Sequence, residues 1–272
     1  MKKILKAGLA SLLCLGLCAC GGTDKDTTVV KVGVVGSYNA QWDTVNELLA
    51  DDNIKVELVA FSAYAEPNRA VHYGDIDMNA FQHHAYLEKE IADCGYELTA
   101  IGDTIIAPLG IYNNKEKISS IEEFKDGDKI AIPNDATNGG RALKILEEIG
   151  LIEVDPATGY LPTKADITKY NVQIEIVEAE SATLASILPD VTAALINGGN
   201  AYTAGLNSVT DTIFLEDVSK VADIDRLKNL IAVRTDDVNN EVYKKVVEAY
   251  QTAEVKQTLQ DAYNGAFLPA WE

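Results

Sequence analysis

The stretch VVKVGVVGSYNAQWDTVNELLADDNIKVELVAF, residues 29–61, decides the fold class. Val29–Val35 is an apolar, β-branched run of strand length, and branching at Cβ favours the extended backbone. Asp43–Ala50 places Val45, Leu48 and Leu49 on one face at helical spacing. Ile54–Phe61 then alternates apolar and polar positions as a second strand. Strand, helix and strand in this order are the unit of an α/β protein with largely parallel sheets.

The same alternation continues outward from this unit. A short helix is predicted at Pro67–Tyr73, with proline in the first turn. Gly74-Asp75 turns the chain into an extended Ile76–Phe81, and Ala85–Cys94 reads as a helix stopped by Gly95. Strands are predicted at Thr104–Tyr112, Lys129–Ile132, Val172–Val177, Ala193–Ile196 and Leu230–Val233, with a helix at Gly140–Ile149. Helices at Asn239–Tyr250 and Val255–Ala262 follow, and residues 153–166, with two prolines, read as a surface excursion.

The beginning of the chain carries a different signal. Lys2, Lys3 and Lys6 precede an apolar run over residues 7–19. That run is about 13 residues, too short for a bilayer, which takes about 20. It ends in Leu17-Cys18-Ala19-Cys20, which resembles a bacterial lipoprotein signal: residues 1–19 would be removed and Cys20 would take a lipid such as palmitate. An ordinary secretory signal that happens to contain cysteines is the alternative. Residues 20–28 read as a polar tether, so the expected location is the extracytoplasmic face of the cell membrane, lipid-anchored. Cys14 and Cys18 would leave with the signal. Cys94 would then stand alone, unable to form an intrachain disulfide, and it reads as a packing residue at the end of a helix.

Composition excludes several function classes. The formal net charge is −19, and more negative still without the signal lysines. Nucleic-acid binding needs a basic patch, so no nucleic-acid partner is expected; anionic lipid headgroups are disfavoured for the same reason. The sequence holds no G-x-S-x-G, no H-E-x-x-H and no P-loop, and no catalysis is expected. Gly33-Val34-Val35-Gly36-Ser37 reads as a tight turn rather than a dinucleotide site. His83 and His84 are neighbours and His72 is the only other histidine; adjacent residues on a strand point to opposite faces, so neither metal nor cofactor is expected.

Three segments read as a binding cleft. In Asn79–Tyr86, Phe81 and His83 share one face of an extended segment and Tyr86 begins the next helix; ordinary core packing would give the same spacing. In Ile132–Ala142 (IPNDATNGGRA), capping residues and glycines precede a helix, a place that attracts anions. Arg141 there could grip a carboxylate through two parallel hydrogen bonds, or simply face solvent. In Ala193–Asn200 and Asn229–Arg234, asparagines border apolar strands and offer both donor and acceptor.

On these residues the chain resembles the methionine-binding lipoproteins of ABC importers, the MetQ/NlpA family. The matching stretches are Phe81–His83, Ile132–Leu143, Ala193–Gly199, Ala204–Leu206 and Leu268–Trp271, within a resemblance running from about Val29 to Trp271. It implies a two-lobed, periplasmic-binding-protein-like (type II) α/β fold with a ligand cleft between the lobes. Residues 29–108 and 235–272 would form lobe 1 and 109–234 lobe 2, with crossings near Ala107–Ile111 and Leu230–Arg234. It further implies capture of methionine, D or L, and delivery to an ABC permease/ATPase complex. Another amino acid, a methionine-containing dipeptide, or an adhesin-like role are the alternatives. By resemblance Tyr64, Phe81, His83 and Tyr86 would surround the thioether and Arg141 would hold the α-carboxylate. Asn229 would hold the amino-acid head group, and Asn197 and Asn138 are carried over as further ligand-binding positions. Gly199-Asn200 departs from the family's usual Asn-Tyr at a position touching the cleft.

Overall fold

The computed structural model describes residues 27–271; the signal segment, Cys20 and nearly all of the expected tether lie outside the described residues. The elements in chain order are strand β1 (Thr28–Val35), helix α1 (Ala40–Leu49), β2 (Ile54–Phe61), α2 (Pro67–His72), β3 (Met78–Asn79), α3 (His84–Cys94), β4 (Leu98–Ile106) and β5 (Leu109–Asn113). There follow β6 (Lys129–Pro133), α4 (Ala136–Glu148), β7 (Ile152–Val154), β8 (Ile167–Tyr170), β9 (Glu175–Ala179), α5 (Leu184–Ile187), β10 (Ala193–Asn197), α6 (Gly198–Thr203), β11 (Thr212–Leu215) and β12 (Lys228–Arg234). Helices α7 (Glu241–Tyr250) and α8 (Ala253–Tyr263) and strand β13 (Leu268–Pro269) complete the described chain. Among the described residues no helix is long and apolar enough to cross a membrane.

The strands form two main sheets, one per lobe. The first has the order β13-β4-β12-β3-β1-β2 and the second β11-β5-β10-β6-β9. β1 pairs in parallel with β2 and β3, whereas β12 runs antiparallel to β3 and β4. In the second sheet β6 is parallel to β9 and β10, and β5 is antiparallel to β10 and β11. The sheets are therefore mixed, not largely parallel.

Each lobe has its own core. In the first, Val30, Val32 and Val34 of β1 pack with Trp42 and Val45 of α1 and with Val246, Tyr250, Val255 and Leu259 of α7 and α8. In the second, Ile130 and Ile132 of β6 pack with Leu143 and Leu146 of α4, Ile111 of β5 and Leu195 of β10. Burying a side chain of this size contributes about 1.5–3 kcal/mol, so each sheet is held by its own apolar face before the lobes meet.

Four sequence expectations change. The strand predicted over Thr104–Tyr112 is two strands, β4 and β5, in different sheets; the break at Ala107-Pro108 is where the chain crosses between lobes. The second crossing does not lie at Leu230–Arg234. All of β12 is in the first sheet, so the return runs between Leu215 and Lys228; sequence periodicity marks β12 as a strand but not which sheet it joins, because its partner β4 is more than a hundred residues away. The excursion at 153–166 is flanked by a small antiparallel pair, β7 and β8. Cys94, expected to pack, is exposed at the end of α3.

Candidate functional site

Between the lobes lies a cleft enclosing about 400 Å³ of empty space, its open mouth included. Its walls are Tyr38, Tyr64, Phe81, Gln82, His83, Tyr86, Ala107 and Asn229 on one side, and Asn138, Arg141, Asn197 and Gly199 on the other. All eight residues singled out as ligand-binding from the sequence line this one space. Residues 64, 81, 83 and 86 come from the first lobe, while 138, 141 and 197 come from the second.

One end of the cavity is aromatic. The rings of Tyr64, Phe81 and Tyr86 stand 5.8–5.9 Å apart pairwise, in tilted and edge-on arrangements. Phe81 is held in place by its neighbour. Gln82 turns inward and joins Asn68 and Asn79 in a buried network of side-chain amides, with Asn68 Nδ2 donating to Gln82 Oε1 at 2.7 Å and Gln82 Nε2 donating to Asn79 Oδ1 at 2.9 Å. This network pins the segment between β3 and α3, so Phe81 and His83 project together into the cavity. Burial pushes the Tyr38 phenol up to about 12 and raises those of Tyr64 and Tyr86 as well, so all three hydroxyls stay protonated at neutral pH.

His83 caps helix α3. Its Nδ1 accepts the backbone N–H of Tyr86 at 3.1 Å, which leaves Nε2–H to donate to Asn138 Oδ1 at 3.3 Å. Burial, helped by the nearby Arg141 charge, pushes the imidazole down to about 4; it is neutral at pH 7. His84 faces elsewhere, its Nε2 2.7 Å from Asp103, so the adjacent histidines do not converge.

Asn138 ties both walls together. Its Oδ1 also accepts from Asn197 Nδ2 at 2.7 Å, and its Nδ2 donates to the Asp135 carboxylate at 3.0 Å. Asn138 therefore orients His83 and Asn197. Asn197, which lines the cavity, is left with a buried Oδ1 that has no hydrogen-bond partner. Asp135, as N-cap of α4, accepts the Asn138 N–H at 2.9 Å.

Arg141 does not present the open fork expected of it. Its Nε donates to Glu216 Oε1 at 2.9 Å and its Nη2 to Glu216 Oε2 and to Ala107 O, the latter at 3.0 Å. Only Nη1 remains for the cavity. Both members of the pair are buried, Arg141 at 9% exposure and Glu216 at 7%. On their far side they face a second, more apolar space of about 800 Å³. Arg141 sits in the second turn of α4, because the helix starts at Ala136 rather than Gly140.

The lobes are joined across the cavity by hydrogen bonds. Asn200 Nδ2 donates to the Tyr64 hydroxyl at 3.0 Å, and Ser37 N–H donates to Thr203 Oγ1 at 3.0 Å. Tyr38 lies against Gly199, where a Cβ would come within 2.5 Å of its ring. Sequence reasoning missed Tyr38, Gln82 and Glu216. Tyr38 sits in a polar loop, and Glu216 lies 75 residues from Arg141, a separation at which no spacing rule operates.

Comparison with known proteins places this geometry. The sequence profile of the family described as NlpA lipoprotein matches residues 30–271. The D-methionine-binding lipoprotein MetQ of Salmonella typhimurium is 40% identical over 261 residues, spanning 94% of each chain. The crystal structure of a methionine-binding protein, MetQ, superposes with a TM-score of 0.84 at 38% identity, covering 91% of this chain and 100% of that one. A nutrient-binding protein from Burkholderia cenocepacia bound to methionine gives 0.83 at 34% identity, covering 89% and 100%.

Proposed function

The chain belongs to the NlpA lipoprotein family, and from that premise we propose that it captures methionine, D or L, and hands it to an ABC permease/ATPase complex without catalysing a reaction. Anchored through lipid on Cys20, it would work at the extracytoplasmic face of the cell membrane; fatty-acid labelling of the chain, absent from a Cys20→Ser variant, tests the anchor.

The observation that carries the reading is the polarity of the cavity, three aromatic rings at one end and a free amide oxygen and guanidinium N–H at the other. A thioether against aromatic rings gains about 0.3–1.5 kcal/mol. In this reading Phe81, Tyr64 and Tyr86 enclose the side chain. The α-carboxylate meets Nη1 of Arg141, and the ammonium meets Asn197 Oδ1 and the Asn229 amide. Pairing both charges is necessary, because a desolvated charge without a partner costs more than the apolar end returns.

A ligand that binds only the folded state adds about 2.7 kcal/mol at a hundredfold excess over Kd. In a thermal-shift screen of amino acids on ligand-stripped protein, methionine is expected to raise Tm most. A strong shift from glutamate or histidine with none from methionine would sink the assignment.

A further inference from the structure

Glu216 stands where β11 ends and the chain begins its return to the first lobe. Its N–H donates to Leu109 O at 3.0 Å and its carboxylate accepts the Leu109 N–H at 3.1 Å. It also takes the Nε and Nη2 protons of Arg141, whose remaining Nη2 proton goes to Ala107 O. The pair leaves Nη1 of Arg141 unused, and it is stitched to the segment crossing between lobes.

We infer that Glu216 determines the charge class of the ligand: it balances Arg141, so that the cavity admits a zwitterion and rejects a lone anion. This rests on the reading that Arg141 faces the ligand carboxylate. A buried arginine without a carboxylate partner would attract any anion. Here its charge is cancelled within hydrogen-bonding distance. The other charge beside the cavity, Asp135, offsets the positive N-terminal end of α4 and adds nothing that favours an anion. An ammonium group has a waiting acceptor in Asn197 Oδ1, bonded back through Asn138 to Asp135. A ligand lacking that group leaves the oxygen orphaned.

The test compares methionine with 4-(methylthio)butanoate, the same skeleton without the amino group, by calorimetry at pH 7 on the ligand-stripped full-length protein. The wild type should prefer methionine by at least about a hundredfold. Glu216→Gln should narrow that ratio by about tenfold, because Arg141 regains uncompensated charge, whereas Glu216→Asp, which keeps the charge, should preserve it. General damage to the site would weaken both ligands together and leave the ratio unchanged, and an unchanged ratio in Glu216→Gln overturns the inference. Should that variant not fold, the wild type alone decides. The cation 3-(methylthio)propylamine must then bind at least as tightly as the anion, and the reverse order overturns it. If methionine fails to bind the wild type, the functional reading falls and takes this inference with it, whereas methionine binding with a wrong charge order removes the inference alone.

Discussion

His83 shows what a single residue does here. Its imidazole is buried and neutral, held down to about 4 against an ordinary value of 6.5. The unfolded chain takes up a proton as pH falls below about 6.5, while the folded chain resists until about 4. Stability tied to His83 is therefore present above pH 6.5 and lost as pH falls to 4, by about 3 kcal/mol at most. Chemical denaturation across that window should show the loss in wild type and a smaller one in His83→Gln; equal slopes would mean that the ring is not desolvated in the folded state. The place of His83 in the cleft was legible in the sequence, since it shares a face with Phe81 on an extended segment. Its bond to Asn138 was not, because that contact spans the two lobes. Arg141 was legible as a charged residue near a helix start but not as one half of a buried pair. For that reason Arg141→Ala tests two things at once: it removes a guanidinium from the cavity and strands Glu216 without its partner.

At the scale of elements, the starts of α3 and α4 both face the cavity and are both capped by residues of the site network, His83 and Asp135. The sequence showed caps and glycines before α4 but misplaced its start. Gly139, expected before the helix, and Gly140, expected at its start, both lie inside it and allow close packing: a Cβ on Gly139 would come 2.8 Å from Pro133 O, and one on Gly140 2.7 Å from Tyr160 O. Helix propensity cannot report such contacts, because they are made with backbone outside the helix. Helix α6 gives the corresponding prediction. Its Gly199 lets Tyr38 lie flat against the helix, while Asn200 and Thr203 bond to the other lobe. Gly199→Ala would push the Tyr38 ring toward the cavity. Methionine affinity should fall about tenfold or more, in line with the cost of about 1–3 kcal/mol for overpacking. Calorimetry on that variant, compared with its melting temperature, checks this; unchanged affinity would mean that the ring has room to move elsewhere.

For the whole molecule, the alternating pattern of strands and helices was enough to give the α/β class, because β-branched runs are buried under amphipathic helices, while the two lobes were implied only by the resemblance to the family. The path between lobes was less legible, since periodicity says where a strand lies but not which sheet it joins. That path has a consequence for how the chain reaches its final form. The second sheet draws all of its strands from residues 109–215, one uninterrupted stretch. The first sheet needs β12 and β13, from residues 228–269, beside β3 and β4. Closing it therefore requires long-range pairings whose loop-closure entropy is met late. The middle of the chain should acquire its order first, with the two outer portions joining only when residue 269 is available to β4. Pulse-labelled hydrogen exchange during refolding should find amides of β6 and β10 protected before those of β4 and β12, and simultaneous protection would show that both lobes form in one step. A chain emerging from a membrane with its first residues foremost would thus hold β1 to β4 unpaired with their last partners until its end arrived, leaving the long first-sheet edge as the segment most in need of shielding on the way.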